Sequence, residues 1–254
     1  EFTTDKVGLN IDLEEDHAYV TSFVIYTRTD EGQNAKELVL NAENPNPDGV
    51  DFIKSITVNG EDLAEGTGYT YDKEKHEIRI PVSETDDEVN VEVRTYLEPQ
   101  HNSKLTGLYE SDGSFVTQCE SEGFRRITAF TDRPDVMAKY RVRIRAPEDK
   151  YPVMLANGNM IAGGDDKNGY HWAMYEDPWP KPSYLFCTAN GDLECVEDKF
   201  TTMSGREVLL RVWIEAGAGD PEKGRHALEA LKMSMKWDED VYGLEYDLDL
   251  FNIV

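Results

Sequence analysis

The sequence predicts a mainly β protein: a curved antiparallel β-sandwich, or saddle, followed by the beginning of an α/β unit. Alternating apolar and polar residues fill short segments over most of the first two thirds of the 254-residue chain. Turn-forming sequences such as PNPDG (45–49) and SDG (111–113) separate these segments. Helical periodicity first appears beyond Asp192. We therefore expect a β domain over residues 1–192 and an incomplete second domain over residues 193–254.

The predicted strands of the first domain share a two-residue period and are rich in β-branched and aromatic residues. They cover residues 7–15, 18–28, 36–43, 52–60, 76–82, 89–98 and 139–147. Because they follow one another at short spacing, without helices between them, an antiparallel arrangement is favoured over a parallel one.

A helix is predicted after the acidic and glycine-rich segment that follows residue 215. Asp220 has the side chain of an N-cap, and Pro221 fits the first helical position, where its missing N–H is not needed. Leu228, Leu231 and Met235 then recur at the spacing of one helical face. We expect this stripe to pack on a sheet.

Strands are predicted on both sides of that helix, at residues 206–215 and 245–254. The second is nearly continuously apolar, which is typical of a central strand in a parallel or mixed sheet. A chain that stops within such a strand is expected to be truncated inside an α/β domain. Phe251, Ile253 and Val254 would then leave an open edge, and self-association through this strand is expected.

Charge and composition restrict the classes of function. The chain carries 51 acidic and 26 basic residues, a net charge of −25, which disfavours binding to nucleic acids and to anionic membrane surfaces. No apolar run reaches the roughly 18 residues of a membrane span, and the first residues do not resemble a signal peptide. Three cysteines without C-x-x-C spacing favour a reducing compartment, and a cytoplasmic location is expected.

Motifs for metal, nucleophilic and phosphate chemistry are missing from the sequence. None of the histidines lies in an H-E-x-x-H pattern, and no nucleophile elbow or phosphate loop occurs. Cys119 adjoins Glu120, whose charge is expected to raise the thiol pKa and to oppose a nucleophilic role. No catalytic residue and no metal site is therefore expected within this chain. The histidines are His17, His76, His101, His171 and His226.

The polar segment TQCESEGFRRITAFTDRPD, residues 117–135, contains the best candidate for a binding site. Gln118 and Glu120 lie two residues apart, so on a strand they would face the same way. A carboxylate beside an amide can hold an ammonium group through charge-assisted hydrogen bonds. The purely structural alternative is a strand end in which Glu122 pairs locally with Arg125 and Arg126, and Asp132 caps the next turn.

Four blocks give the segment a family context: TQCESEGFRRITAFTDRPDVMAKY, KYPVMLANGN, HWAMYEDPWPKPSYLF and SMKWDEDVYGLEYDLDLFNIV. Their content, order and spacing resemble the alanyl aminopeptidase N family of zinc aminopeptidases, from about Leu108 to the last residue. The resemblance implies a saddle-shaped β domain followed by the start of a thermolysin-like catalytic domain. It also implies that Glu120 binds the substrate α-amine and that Gln118 lines the pocket for its first side chain.

The resemblance has consequences for cofactor and partners. The family's G-A-M-E-N strand and H-E-x-x-H helix do not occur in this sequence. Zinc is therefore expected in the full-length protein but not in this chain, which is expected to be inactive alone. The implied partners are peptide N-termini and the remainder of the catalytic domain. A different hypothesis also remains, in which the chain is a non-catalytic β-sandwich module that binds a partner or acts as a scaffold.

Overall fold

The computed structural model describes residues 1–217 and 221–254, and strands dominate them, which confirms the mainly β prediction. Helix α1 covers Pro221–Tyr242, and short 3-10 helices cover Asp30–Gly32, Pro99–His101, Phe124–Arg126, Lys167–Gly169 and Ser183–Leu185. The strands are β1 (Phe2–Thr3), β2 (Lys6–Leu13), β3 (Ala18–Arg28), β4 (Glu37–Asn41), β5 (Ile53–Val58), β6 (Glu61–Leu63), β7 (Thr70–Asp72), β8 (Glu77–Pro81), β9 (Glu88–Leu97), β10 (Gly107–Ser111), β11 (Ser114–Gln118), β12 (Met137–Pro147), β13 (Val153–Ala156), β14 (Asn159–Asp165), β15 (Tyr170–Pro182), β16 (Thr188–Gly191), β17 (Leu193–Thr201), β18 (Glu207–Glu215) and β19 (Leu250–Ile253).

Every strand predicted from the two-residue period is present, as β2, β3, β4, β5, β8, β9, β12 and β18. The strand predicted at residues 245–254 is present as the shorter β19, Leu250–Ile253. The remaining strands were not predicted individually, because their alternation is weak. In β17, for example, the residues are exposed or only partly buried, so no apolar face marks the sequence. The second unit therefore has a strand, β17, ahead of the predicted strand–helix–strand series.

The largest sheet has the order β14-β15-β12-β2-β3-β9-β5-β6, with β1 added beside β3. Its pairs are antiparallel except β2 with β12, which run parallel. These two strands are separated by more than one hundred residues of chain, so the connection is long enough for either direction. One face of the sheet is buried, as the alternation of buried and more exposed positions along β2 and β9 shows.

Two smaller sheets, β10-β11-β16-β13 and β4-β8-β7, share a hydrophobic core with the largest sheet. Leu9 and Val91 come from the large sheet, Leu40 and Ile78 from one small sheet, and Phe115 from the other. Layers of sheet that bury their apolar faces against each other form a sandwich, as the sequence predicts.

The chain divides into two compact units, residues 1–190 and 191–254. In the second unit β18 pairs antiparallel with β17 and parallel with β19, and α1 forms the crossover. The helix stripe predicted from the sequence is confirmed: Leu228, Leu231 and Met235 are buried against Val208, Leu210 and Val212 of β18. The Asp220 N-cap lies outside the described residues, and the assignment of residues 193–254 to a catalytic domain stays a prediction.

Strand β19 pairs with β18 along one edge, and within the described ranges no strand pairs with its other edge. Phe251 and Ile253 are partly buried against the core of the second unit, whereas Val254 is 63% exposed. The open surface is therefore smaller than the sequence suggests, and self-association through β19 stays a prediction. Separately, no helix among residues 1–217 and 221–254 has the length and apolar character needed for a membrane crossing.

We expect Leu210→Ala to lower the opening free energy of the second unit by about 2–5 kcal/mol. Leu210 of β18 is fully buried against α1, and the loss of its side chain leaves a cavity. Native-state hydrogen exchange of the β18 amides measures this change. The control is Met233→Ala on helix α1, where the side chain is 73% exposed and the change in opening free energy should stay within about 0.5 kcal/mol. Equal changes in the opening free energy for the two substitutions would contradict the packing of Leu210 against α1.

Candidate functional site

Strand β11 carries the candidate site at its C-terminal end. It is held on one edge by β10, where Leu108 lies opposite Thr117, and on the other by β16, where Val116 lies opposite Ala189. Gln118 is the last residue of the strand and is exposed. A strand paired on both edges is a rigid support for residues at its end.

A tight turn follows, in which the Gly123 N–H donates to the carbonyl of Cys119 at 2.8 Å. A Cβ at Gly123 would lie 2.6 Å from the Gln118 carbonyl oxygen, so the close return of the chain requires glycine at this position. Glu120 lies in the turn rather than on the strand, and its peptide bond to Ser121 is cis. The side chains of Gln118 and Glu120 are both exposed on either side of the buried Cys119.

Phe124 anchors the far side of the turn. It is fully buried, and its ring lies 5.2 Å from Phe130, 5.3 Å from Phe186 and 6.0 Å from Tyr140, each in an edge-to-face arrangement. Such aromatic contacts stabilise by about 0.5–1.5 kcal/mol each beyond the area that they bury. The turn is therefore fixed at both ends by the core.

Arg125 is a structural residue. Its Nε donates to Oδ2 of Asp132 at 2.9 Å, and its Nη2 donates to the Asp132 carbonyl at 3.0 Å. Ser183 donates to the other carboxylate oxygen of Asp132, whose side chain is only 2% exposed. Removing one partner of such a buried pair costs about 3–5 kcal/mol, whereas an exposed pair contributes about 0–1 kcal/mol. The Asp132 carboxylate thus binds Arg125 and Ser183 instead of capping the following turn.

Arg126 is held by a residue far away in the sequence. Its Nη2 donates to Oε1 of Glu43 at 2.7 Å, and Lys104 donates to the same oxygen at 2.9 Å. Burial tends to raise the pKa of Glu43, but the hydrogen bonds from Arg126 and Lys104 outweigh it and lower the pKa. Local pairing with Glu122 is limited to its 3.5 Å contact with Arg125, so the purely local alternative explains only part of the segment.

Gln118 and Glu120 differ from these neighbours. Within residues 1–217 and 221–254, neither side chain has a hydrogen-bond or ion-pair partner. The cations of the segment are already paired, so the Glu120 carboxylate keeps its full capacity to accept hydrogen bonds. An exposed carboxylate and amide on a fixed turn can bind a cationic hydrogen-bond donor such as an ammonium group.

Cys119 is an inert core residue. Burial raises its thiol pKa well above the usual value, and the charge of Asp132 adds to this effect. The sequence-based expectation that the adjacent Glu120 raises this pKa is wrong, because the Glu120 side chain is exposed to solvent whereas the thiol is buried. The conclusion is unchanged: a thiol that stays protonated is a poor nucleophile.

The histidines do not form a cluster in the structure. His17 contacts the Asp16 carboxylate at 2.7 Å, and His171 contacts the Tyr151 carbonyl at 2.8 Å. Among the residues that the structure describes, no group of three or more His, Cys, Asp or Glu side chains is placed to hold a metal ion. The described residues of this chain therefore do not fit a zinc site.

Sequence reasoning missed Glu43 and Ser183, which hold the segment in place. They lie 83 residues from Arg126 and 51 residues from Asp132, respectively. Neither belongs to a recognisable motif, and single-sequence patterns report only short-range periodicity. The one available signal was the pair of adjacent arginines, because each needs a carboxylate partner if it is buried. This signal does not indicate which carboxylates are the partners.

We expect Glu43→Gln to destabilise the protein by about 1–3 kcal/mol near neutral pH, because two cations lose a partly buried charged acceptor. The lowered pKa of Glu43 contributes stability above the pKa of the unfolded state, and this contribution disappears as the pH falls through the folded-state pKa. Urea denaturation of both proteins from neutral to acidic pH measures the difference, which should shrink toward acidic pH.

The control for Glu43 is Glu122→Gln, because the Glu122 side chain is 68% exposed and its contact with Arg125 is long. This substitution should change the free energy of unfolding by less than about 0.5 kcal/mol at every pH. A difference between wild type and Glu43→Gln that is constant over the whole pH range would contradict the ionic role of Glu43.

Comparison with known proteins places this geometry in a family context. Residues 4–185 match the Peptidase M1 N-terminal domain. The whole chain is 42% identical to aminopeptidase N of Haemophilus influenzae and 44% identical to aminopeptidase N of Caulobacter vibrioides. It spans 28% of the length of each of these relatives.

Solved structures show the same fold. Aminopeptidase A of Legionella pneumophila, in complex with aspartic acid, superimposes with a TM-score of 0.88 at 30% identity, over 99% of this chain and 28% of that protein. An M1 zinc metallopeptidase from Deinococcus radiodurans, at 15% identity and a TM-score of 0.75, shares the fold over 99% of this chain and 56% of its own. Because the domain match covers most of the chain and the whole-chain identity exceeds 40%, this chain belongs to the peptidase M1 family and contains its N-terminal domain.

Proposed function

We propose that this chain is the N-terminal part of a zinc-dependent aminopeptidase and supplies the site that holds the free N-terminus of the peptide. The observation that carries the proposal is the exposed pair Gln118 and Glu120, which has no partner among the described residues and sits on a turn fixed by the core. The relatives named aminopeptidase N support the activity of the whole protein.

Glu120 binds the α-ammonium group of the substrate in this proposal. A carboxylate accepts charge-assisted hydrogen bonds, which are about twice as strong as neutral ones. Because the turn is closed by the bond from Gly123 to Cys119 and anchored by Phe124, the carboxylate needs little reorganisation on binding. A fixed anion at one end of a cleft selects peptides with a free N-terminus, which is the basis of exopeptidase specificity.

Gln118 lines the pocket for the first side chain of the substrate. Its amide carries both donors and acceptors and no charge, so it tolerates neutral side chains and offers an oxygen to basic ones. It is exposed two residues before Glu120, with the buried Cys119 between them, and in this proposal one ligand contacts both residues.

Zinc and the groups that activate water belong to the remaining part of the full-length protein in this proposal. Zinc would polarise the scissile carbonyl there and lower the pKa of its bound water. The contribution of the present chain is limited to binding and orienting the substrate amine.

We expect Glu120→Ala in the full-length protein to lower kcat/KM for an alanyl arylamide by about 30- to 1,000-fold, which corresponds to a loss of about 2–4 kcal/mol for a charged amine contact. Steady-state kinetics with the purified variant measures this change. The matched control is Glu122→Gln, which alters an exposed carboxylate two residues away and should change kcat/KM less than about fivefold.

The two residues have distinguishable roles in the same assay. Gln118→Ala should change the ratio of kcat/KM between substrates that differ in the first side chain, and should leave the requirement for a free amine intact. Unchanged kcat/KM in Glu120→Ala would overturn the anchoring role, whichever result Gln118→Ala gives.

We also expect the purified 254-residue chain to release no amino acid from an alanyl arylamide, with or without added zinc. Zinc-dependent turnover that survives repurification would place a metal site within this chain and overturn the division of roles. If the chain binds peptides tightly and the full-length protein lacks aminopeptidase activity, the hypothesis of a non-catalytic binding module would be favoured instead.

A further inference from the structure

A groove of about 690 Å³ lies on the largest sheet, in the unit that also carries Gln118 and Glu120. Strands β2, β3, β5, β9, β12 and β15 contribute its lining. Its volume is within the range of about 300–1,000 Å³ that is typical of small-molecule sites. None of the residues proposed above to bind the peptide N-terminus lines this groove.

The floor of the groove is apolar. Phe23 and Ile25 of β3 point away from the core and are 43% and 52% exposed. Gly8 lies opposite Phe23 in the register of β2 and β3, and it has no side chain to cover the ring. Opposite Gly8 on its other side is Arg141 of β12, whose Nε donates to Glu176 at 2.8 Å. The missing side chain at position 8 therefore opens the depression beside Phe23.

One edge of the groove carries two unpaired positive charges. Lys6 of β2 and Lys139 of β12 are directly opposite each other in the parallel register, and both line the groove. Like charges at directly opposite positions destabilise a sheet. Within residues 1–217 and 221–254 neither ammonium group has a carboxylate within 4 Å.

The acidic residues around the groove do not neutralise this pair. Glu176 is bound to Arg141, and Asp177 is bound to Lys181 at 2.9 Å. Glu92 lies across the groove on β9, opposite Phe23 in the register and on the far side of β3 from Lys6. The groove is therefore polarised: its apolar floor lies between the lysine pair and Glu92, the one lining carboxylate without an ion-pair partner among the described residues.

We propose that this groove binds a small amphiphilic carboxylate. The carboxylate lies between the ammonium groups of Lys6 and Lys139, and an aliphatic or aromatic body covers Phe23 and Ile25. Binding relieves the repulsion between the two lysines and removes apolar surface from water, at about 25 cal/mol per Å² of area buried. Glu92 favours the orientation in which the anionic end is directed toward β2 and β12.

Isothermal titration of the full 254-residue chain with octanoate tests the proposal, with octanol and octylamine as probes of equal chain length. We expect octanoate to bind more tightly than either, because only octanoate carries an anion. Lys6→Gln combined with Lys139→Gln should weaken octanoate binding about tenfold. The variant removes two exposed ion pairs with the ligand, and each such pair contributes up to about a fivefold change in affinity. The control is Lys36→Gln combined with Lys75→Gln, two exposed lysines outside the groove, which should leave binding unchanged.

A second variant tests the apolar floor. A Cβ at Gly8 would lie 3.6 Å from the Phe23 Cβ, an ordinary contact, so Gly8→Val is compatible with the strand and fills the depression. It should weaken the binding of octanoate and of octanol alike, whereas the lysine variant affects octanoate selectively. The proposal is overturned if octanoate does not bind, if octylamine binds equally well, or if the lysine variant retains wild-type affinity.

Discussion

An aromatic cluster of Phe124, Phe130, Tyr140 and Phe186 holds the first unit together at the point where its candidate site is built. Tyr140 belongs to the largest sheet, Phe186 precedes a strand of a smaller sheet, and Phe130 bridges to the end of β4. The cluster therefore joins the layers of the sandwich and anchors the turn that carries Glu120. Aromatic rings can do this because each buries a large area in a defined geometry.

The electrostatic arrangement follows from this anchoring. Once Phe124 is buried, Arg125 and Arg126 have to leave water in part, and each is paired with a carboxylate. Arg125 binds Asp132 of the same segment, and Arg126 binds the distant Glu43. These pairs are structural, because unpaired buried charges are costly. Glu120, in the same turn, remains unpaired among the described residues and available to a ligand. The same short segment thus contains both charges that maintain the fold and the charge that we propose binds the substrate.

The two proposed sites suit ligands of opposite charge. At the turn, a carboxylate in an acidic protein is available to a cation, which suits the ammonium end of a peptide. On the face of the largest sheet, two lysines lie opposite each other beside an apolar floor, without a counter-charge among the described residues. This arrangement suits an anion with an apolar body. Each proposed site depends on charged groups that have no opposite charge beside them among the described residues. Such groups indicate a binding site better than the many exposed ion pairs on the surface do.

The sequence by itself determined the strands with strong alternation, the stripe on helix α1 and the candidacy of Gln118 and Glu120, because these depend on residues only a few positions apart. Tertiary structure decided the parallel pairing of β2 with β12, the carboxylate partners of Arg125 and Arg126, and the meeting of Lys6 with Lys139. These join residues up to 133 positions apart, and no local period encodes which distant strand becomes a neighbour. The position of Glu120 shows both contributions: its exposure follows from the alternation around Cys119, whereas its place in a closed turn depends on Gly123 and on the burial of Phe124.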